Sequence, residues 1–248
     1  MNPMDNAFDF LDYPKTPIEI SITSSSERKY RLHSCKREPQ TVEWIESFED
    51  NTVFFDVGAN VGCYSLVAAA QNALGRSNIQ VYSFEPASVN FTKLLTNIRR
   101  NRFDHLITPV NIALGDTSAS SVLNYYDGGG AGEYSIGEAG SSGHQLNRML
   151  DYEDKPFKSL LCQNVLSMTL DDFSRMFRLY PTAIKIDVDG IENLVLRGAS
   201  TLIDDLRLKS VLVEINGGKD DFLFEVMHNH NFTITHHTSH NNVLFMRR

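Results

Sequence analysis

The segment 53–62, with the sequence VFFDVGANVG, constrains the fold of this chain more than any other. An apolar, β-forming run ends in Asp56, a turn with Gly58 and Gly62 follows, and small residues typical of a helix begin just beyond, at 65–70. This order predicts a strand, a glycine turn and a helix N-terminus. Because glycine lets backbone N–H groups come close to a ligand and a helix N-terminus favours anionic groups, we expect a small ligand here.

The spacing of this turn separates two classes of nucleotide ligand. A dinucleotide fingerprint reads G-x-G-x-x-G, whereas this turn has Asn60 between its two glycines and the carboxylate of Asp56 two residues before the first. That carboxylate would repel a pyrophosphate but would suit an amino-acid head group, such as that of S-adenosylmethionine. Glu85 ends the next predicted strand, where a carboxylate can accept hydrogen bonds from both ribose hydroxyls. The residues therefore favour S-adenosylmethionine over a dinucleotide.

Composition limits the class of protein. The chain has 248 residues, of which 42% are apolar, so it can bury one substantial core. Its net charge of −8 argues against a large surface for nucleic acid or for an anionic membrane. The three widely spaced cysteines indicate free thiols in a reducing compartment. With no membrane-length apolar run and no signal-peptide pattern, we expect a cytoplasmic protein.

Short apolar runs alternate with amphipathic helices from residue 53 onward, which predicts an α/β fold with a Rossmann-like, doubly wound sheet. A C-terminal hairpin would complete a mostly parallel, seven-stranded sheet with an antiparallel last strand. The predicted core strands are 53–57, 79–84, 107–112, 183–188 and 210–215, the hairpin pairs 232–235 with 243–246, and the clearest helix is 88–102.

Residues 1–50 precede this alternation and form an N-terminal arm. Two strands are predicted in it, near 18–23 and near 29–33, followed by a short helix around Trp44. We expect the arm to pack on a single catalytic domain formed by 51–248.

Residues 124–168 interrupt the alternation after the third core strand. The stretch from Tyr125 to Gly143 is too glycine-rich for a packed element, so it predicts either a loop with a function or a disordered insertion. Its position beyond the carboxyl ends of the strands is where ligands bind in such sheets. We interpret it as an acceptor-side insertion, with Tyr134, Ser135 and His144 as candidate substrate-binding residues.

A second group of acids lies at the end of the predicted strand 183–188 and just beyond it. Asp187 and Asp189 are two residues apart and would share a face on an extended backbone, and Glu214 ends the next strand. If these strands are neighbours, three carboxylates converge near the glycine turn. A structural alternative for Asp189 is charge complementarity with the following helix N-terminus.

Six short motifs occur in order along residues 40–216. They read FDVGANVG at 55–62, FEP at 84–86 with LLTN at 94–97, NIALGD at 111–116, TLDD at 169–172, IKIDVDGIE at 184–192 with LRGA at 196–199, and VE at 213–214. Together they resemble the FkbM-type family of S-adenosylmethionine-dependent methyltransferases. Two departures are Asp189, where the family more often has glutamate, and the glycine-rich stretch.

The resemblance implies both a cofactor site and a reaction. Family members generally methylate hydroxyl oxygens, so the expected activity is O-methylation of a hydroxyl on a sugar, a glycolipid or a polyketide-type natural product. The implied cofactor-binding residues are Asp56, Gly58, Asn60 and Gly62 at the methionine end, Glu85 at the ribose, and Asn111, Ile112 and Ala113 beside the adenine.

Methyl transfer to an alkyl hydroxyl needs alignment and the removal of a proton. We therefore expect Asp187, with Asp189 or Glu214, to accept that proton. The alternative is that these acids hold a divalent cation such as Mg²⁺, which would lower the pKa of the hydroxyl. His33 and His144 are further candidates for a base or for acceptor binding.

The sequence leaves other functions open. One is a methyltransferase for RNA or protein, although the acidic balance and the lack of an Asn-Pro-Pro-Tyr-like tetrapeptide disfavour a base-directed enzyme. Another is a dinucleotide-dependent oxidoreductase, and a third is a non-catalytic protein with the same fold. A zinc site among the histidines between 228 and 240 is disfavoured because no cysteine accompanies them.

Overall fold

The computed structural model describes residues 8–23, 25–126, 143–149, 155–188, 190–215, 221–237 and 241–248. Tyr134, Ser135 and Asp189 lie outside these ranges, so the expectations for them stay predictions. Within the described ranges, no helix has the length and apolar character needed to cross a membrane.

The strands follow the predicted order closely in the core of the chain. They are β1 (Phe8–Phe10), β2 (Glu19–Ser21), β3 (Val53–Val57), β4 (Gln80–Phe84), β5 (Ile107–Val110), β6 (Ala113–Leu114), β7 (Ala119–Tyr126), β8 (Gly143–Leu146), β9 (Leu161–Met168), β10 (Ala183–Ile186), β11 (Ser210–Glu214), β12 (Phe232–His237) and β13 (Asn242–Arg247). The helices are α1 (Ser25–Tyr30), α2 (Ser34–Arg37), α3 (Pro39–Glu46), α4 (Cys63–Ala73), α5 (Ser88–Arg100), α6 (Leu170–Phe177), α7 (Glu192–Arg197), α8 (Ser200–Asp204) and α9 (Asp221–Asn229).

A seven-stranded sheet in the order β12-β13-β11-β10-β3-β4-β5 forms the centre of the molecule. The five strands from β11 to β5 are parallel, and β13 is antiparallel to both of its neighbours. The predicted mixed α/β fold, with a mostly parallel sheet and an antiparallel last strand, is confirmed. Chain order reverses between β3 and β10, and ligands bind in the crevice beyond such a reversal.

Both faces of this sheet are buried, which explains the nearly continuous apolar sequence of β3. Phe54 faces the arm and α4, where its ring meets Trp44 edge-on at 5.7 Å. The adjacent Phe55 faces the other side and packs against Phe84 and Phe173. The Trp44 indole N–H also donates to the hydroxyl of Ser210, 3.0 Å away, so the arm is fixed to the sheet by packing and by a hydrogen bond.

The second strand predicted in the arm, at 29–33, is wrong. Helix α1 ends at Tyr30 and so includes residues 29 and 30, and 31–33 form a turn. The cause is the buried carboxylate of Glu27, which accepts hydrogen bonds from the backbone N–H of Thr23 and from Lys93 Nζ on α5, at 2.7 and 2.5 Å. A carboxylate that reaches back to a backbone N–H stabilises a helix start, and its partner Lys93 lies far away in sequence.

The predicted insertion 124–168 contains strands on either side of its glycine-rich stretch. β6, β9, β7 and β8 form a separate four-stranded sheet in that order, with β7 and β9 antiparallel from Ala119 opposite Ser167 to Tyr125 opposite Leu161. Its buried side chains form a third apolar cluster. Residues 127–142 of the glycine-rich stretch lie outside the described residues.

Candidate functional site

A cleft lies at the carboxyl ends of β3, β4 and β10, where the strand order reverses. Its empty volume is about 1050 Å³, including the space at its mouth. Three chain segments form the floor and one side: the turn 57–61, the turn 84–86 and the segment 112–114. Side chains of the arm, of α4 and of the four-stranded sheet complete the wall.

The two glycines of the first turn are required by contacts within the protein. Gly58 has a φ of +80°, and a Cβ there would lie 1.9 Å from the carbonyl oxygen of Asp187. Gly62 has a φ of +93°, and its Cβ would lie 2.5 Å from a methyl carbon of Leu94 on α5. Both positions therefore need glycine.

The N–H groups of this turn are also used inside the protein. Those of Gly58 and Ala59 donate to the carbonyl of Phe84, at 3.0 and 2.9 Å, and that of Gly62 donates to Ala59 at 2.8 Å. The expectation that these donors face a ligand is wrong for these three groups. Gly58 still lines the cleft, whereas Gly62 is not part of its wall.

Asp56 lies behind the cleft wall and is almost fully buried. Its Oδ2 accepts a hydrogen bond from the Ser65 hydroxyl at 2.6 Å, which ties the first turn of α4 to β3. Its Oδ1 has no hydrogen-bond partner among the described residues. Burial raises the pKa of Asp56, against the opposing effects of Lys185 and of the Ser65 hydroxyl. Contact between Asp56 and a cofactor stays a prediction.

Glu85 connects two turns on the cleft wall. One carboxylate oxygen accepts from the N–H of Asn60 at 2.8 Å, and the other from the N–H of Ala87 at 2.9 Å. Asn111 is exposed and does not line the cleft, and its amide donates to the carbonyls of Glu85 and Pro86, at 2.7 and 3.2 Å. The structure thus gives Asn111 the role of a brace, while Glu85 keeps an edge on the cleft.

One end of the cleft is apolar. Ile112 and Ala113, both predicted near the adenine, line it together with Leu114, Leu123 and Leu146. Gln163 on β9 connects this end to the turn 84–86, because its amide donates to the carbonyl of Pro86 at 2.9 Å. The four-stranded sheet therefore contributes directly to the wall.

The opposite end of the cleft contains Asp187. Ile186 on β10 is level with Val213 on β11, so the next residues, Asp187 and Glu214, are neighbours and share a hydrogen bond. Two of the three predicted acids therefore converge, and Asp187 lines the cleft. Burial raises the pKa of Asp187, but the Lys185 ammonium and the hydrogen bond with Glu214 outweigh burial and hold that pKa below its ordinary value.

Lys185 is a site residue that the sequence analysis did not single out. Its side chain is 1% exposed, its ammonium lies 2.5 Å from Asp187 Oδ2, and it stands 4.9 Å from the centre of the Tyr64 ring. Burial alone would lower the pKa of Lys185. The carboxylates of Asp187, Asp56 and Glu38 raise this pKa by more than burial lowers it, so the net shift is upward. A lone lysine in an otherwise apolar strand was the available signal, because a buried lysine needs a partner.

The N-terminal arm also supplies side chains that sequence reasoning missed: Arg31, Ser34, Arg37 and Glu38 line the cleft. The hydroxyl of Tyr64 donates to the Ser34 carbonyl at 3.3 Å, which places this part of the arm over the start of α4. His33, the arm residue that the sequence suggested, is exposed and is not on the wall.

The structure does not test the predictions for His144 and for a Mg²⁺ site that includes Asp189. His144 lies on β8, level with Tyr125, but its side chain is outside the described part of the chain. Among the described residues, no group of three or more His, Cys, Asp or Glu side chains is arranged to hold a metal ion. Because Asp189 is not described, a Mg²⁺ site that includes it stays a prediction. His230 has Asp204 as its partner, at 2.6 Å.

Comparison with known proteins places the chain in a family. Residues 56–241 match the methyltransferase FkbM domain. The hexuronic acid methyltransferase AglP of Haloferax volcanii is 21% identical over 198 residues, which cover 79% of this chain and 70% of AglP.

One solved structure agrees with this chain at the level of fold. The methyltransferase FkbM of Methylobacillus flagellatus KT superposes with a TM-score of 0.52 at 18% identity, covering 80% of this chain but only 44% of that one. A Streptococcus agalactiae protein of the NADB-Rossmann superfamily gives a TM-score of 0.46 at 11% identity, over 84% of this chain and 68% of its own length. The family match covers most of the chain and confirms the resemblance seen in the sequence: this chain belongs to the FkbM methyltransferase family.

Proposed function

We propose that this chain is an S-adenosylmethionine-dependent O-methyltransferase that acts on a hydroxyl of a sugar, a glycolipid or a polyketide-type natural product. The observation that carries the proposal is the cleft at the reversal point of the sheet, with an apolar end and a carboxylate end. A nucleoside with an amino-acid tail suits such a two-ended site. We place the catalytic domain at 51–248, with 124–168 on the acceptor side.

The residues present fit this cofactor. Oδ1 of Asn60, on the cleft wall, is buried and has no hydrogen-bond partner among the described residues, so it can accept from an ammonium group. Glu85 lies on the cleft wall, and a carboxylate there can accept hydrogen bonds from ribose hydroxyls. The apolar end, with Ile112 and Leu123, suits a purine ring.

When bound, S-adenosylmethionine supplies an electrophilic methyl group on a sulfonium. The chain must align the acceptor, exclude water and take up the hydroxyl proton. Asp187 is an ionised carboxylate on the wall, and we assign it the role of proton acceptor. Glu214 is a positioning residue, because it binds Asp187 and does not line the cleft.

The comparisons support a sugar as the acceptor, since AglP acts on a hexuronic acid. A formal net charge of −8 supports a small-molecule or glycan partner rather than RNA. The cysteines Cys35, Cys63 and Cys162 are free thiols, which supports a location in the cytoplasm.

Isothermal titration with S-adenosylhomocysteine, S-adenosylmethionine and NAD tests the cofactor. We expect the first two to bind and NAD not to bind. Ile112→Trp fills the apolar end and should weaken binding by about tenfold or more, since each 1.4 kcal/mol is a factor of ten. Leu166→Trp is the matched control, because Leu166 is 55% exposed on β9 and does not line the cleft. Binding of NAD alone would replace this proposal with an oxidoreductase.

A further inference from the structure

Three basic side chains line the cleft although the chain as a whole is acidic. Arg31 and Arg37 come from the arm, and Lys185 comes from β10. All three are on the wall of a cleft in a chain with a net charge of −8. The same wall carries Glu38, Glu85 and Asp187, so a basic side chain favours an anion only where these acids do not already pair with it.

Most charged groups on this wall have partners within the protein. Lys185 has Asp187, and Glu85 accepts two backbone N–H groups. Glu38 accepts hydrogen bonds from Asn242 at 2.8 Å and from Thr41 at 3.1 Å.

Arg37 differs from these groups. Its Nη1 makes one long hydrogen bond, 3.4 Å, to the carbonyl of Tyr30, and its guanidinium stands 5.2 Å from the centre of the Tyr30 ring. The described residues give it no carboxylate partner. A guanidinium that rests on an aromatic ring keeps its N–H edge for a ligand, and that edge matches a carboxylate or a phosphate.

The N-terminal arm, which carries Arg37, packs close to the end of the cleft that contains Asp187. The arm contacts the start of α4 twice: Tyr64 donates to the Ser34 carbonyl, and the Cys63 thiol lies 3.8 Å from the Arg31 carbonyl. Lys185 lies over the ring of the same Tyr64 and binds Asp187. The arm therefore covers the carboxylate end of the cleft, opposite the apolar end.

We propose that Arg37, assisted by Arg31, binds an anionic group of the acceptor, so that the substrate is an acidic sugar bearing a carboxylate or a phosphate. This inference rests on the proposed function and deepens it. Arg31 and Arg37 line the same cleft as Asp187, so an anionic acceptor whose hydroxyl meets Asp187 shares that cleft with both guanidinium groups.

The test is titration of the full chain, saturated with S-adenosylhomocysteine, with three probes: methyl α-D-glucuronide, glucose 1-phosphate and methyl α-D-glucoside. We expect one anionic probe to bind about tenfold or more tightly than the neutral one. Which of the two anionic probes binds identifies the anionic group as a carboxylate or a phosphate. Arg37→Gln should remove this preference, and Arg37→Lys should keep part of it. Arg28→Gln is the control in the same arm, because Arg28 pairs with Asp9 and is not on the cleft wall.

Several outcomes would overturn the inference: equal binding of all three probes, binding of none, or a loss of S-adenosylhomocysteine affinity in Arg37→Gln. The last would assign the arginine to the cofactor carboxylate. If the wild-type chain does not bind S-adenosylhomocysteine, the proposed function fails first. If it binds and the probes show no charge preference, only the acidic acceptor is refuted.

Discussion

The ammonium of Lys185 and the carboxylate of Asp187 are 2.5 Å apart, and they join the interior of the sheet to the cleft. The lysine side chain is 1% exposed, whereas that of Asp187 is 31% exposed. Lys185 is also level with Asp56 on the neighbouring strand β3. One buried cation thus neighbours two acids, Asp56 behind the cleft wall and Asp187 on it.

Replacing Lys185 by methionine should destabilise the fold and abolish methyl transfer. The substitution leaves the buried carboxylate of Asp56 without its neighbouring cation and Asp187 without its hydrogen-bond donor, which costs about 3 kcal/mol of unfolding free energy. Adding Asp56→Asn should recover about 1–2 kcal/mol, because the two sites share a partner. Urea unfolding of the single and double variants measures both values. Unchanged or increased stability in Lys185→Met would show that the lysine does not neutralise these acids.

Gly58→Ala should damage both stability and the site. A Cβ at Gly58 would meet the Asp187 carbonyl oxygen at 1.9 Å, so the end of β10 must move. Gly75 is a matched control, since its φ is +66° and a Cβ there meets nothing within 4 Å. Gly75→Ala should cost only about 1 kcal/mol of backbone strain and leave cofactor affinity unchanged. Equal losses of stability in the two variants, measured by urea unfolding, would contradict the role assigned to the close approach.

Glu192 should make the fold less stable as pH rises. Burial, which the backbone N–H groups of Gly190 and Val188 oppose only in part, raises the pKa of Glu192 from 4.5 to about 7. The folded state binds the Glu192 proton more tightly than the unfolded chain does. The contribution of this protonated carboxyl to the unfolding free energy is therefore fully present below pH 4.5 and is lost as pH rises through about 7. The expected loss is about 3 kcal/mol.

Glu192→Gln should remove that loss, since glutamine keeps the hydrogen-bonding oxygen without a charge to bury. Unfolding free energies of wild type and Glu192→Gln, compared between pH 5 and 8, should diverge in favour of the variant as pH rises. Glu225→Gln, at an exposed position of α9, controls for the removal of a surface charge. Parallel curves for wild type and Glu192→Gln would refute the assignment.

The core of the fold follows from local patterns in the sequence. Buried parallel strands need apolar runs, and the helix at 88–100 needs a periodic apolar face, so both could be read directly. Two strands were predicted too long, at 107–112 and 183–188. Beyond the ends of these strands, Ile112, Asp187 and Val188 leave the sheet and line the cleft, and no local pattern marks the point where each strand ends.

The site was harder to predict because its decisive contacts are long-range. The register between β3 and β10 places Lys185 beside Asp56, and a lysine in a strand otherwise indicates an exposed position. Asn111 and Glu85 use their polar atoms on backbone groups, which a motif does not reveal. The arginines of the arm reach the cleft only because the arm packs over α4.

The most direct test is transfer of a labelled methyl group from S-adenosylmethionine to a panel of sugars, glycolipids and macrolides, with the methylated atom located by mass spectrometry and NMR. We expect wild type to methylate a hydroxyl oxygen. Asp187→Asn should bind S-adenosylhomocysteine as wild type does but turn over about 10²–10⁴-fold more slowly, the usual contribution of a general base. The same assay after chelation shows whether a divalent cation takes part. Methyl groups found on RNA or protein rather than on a hydroxyl of the panel, or full activity in Asp187→Asn, would contradict the proposed function.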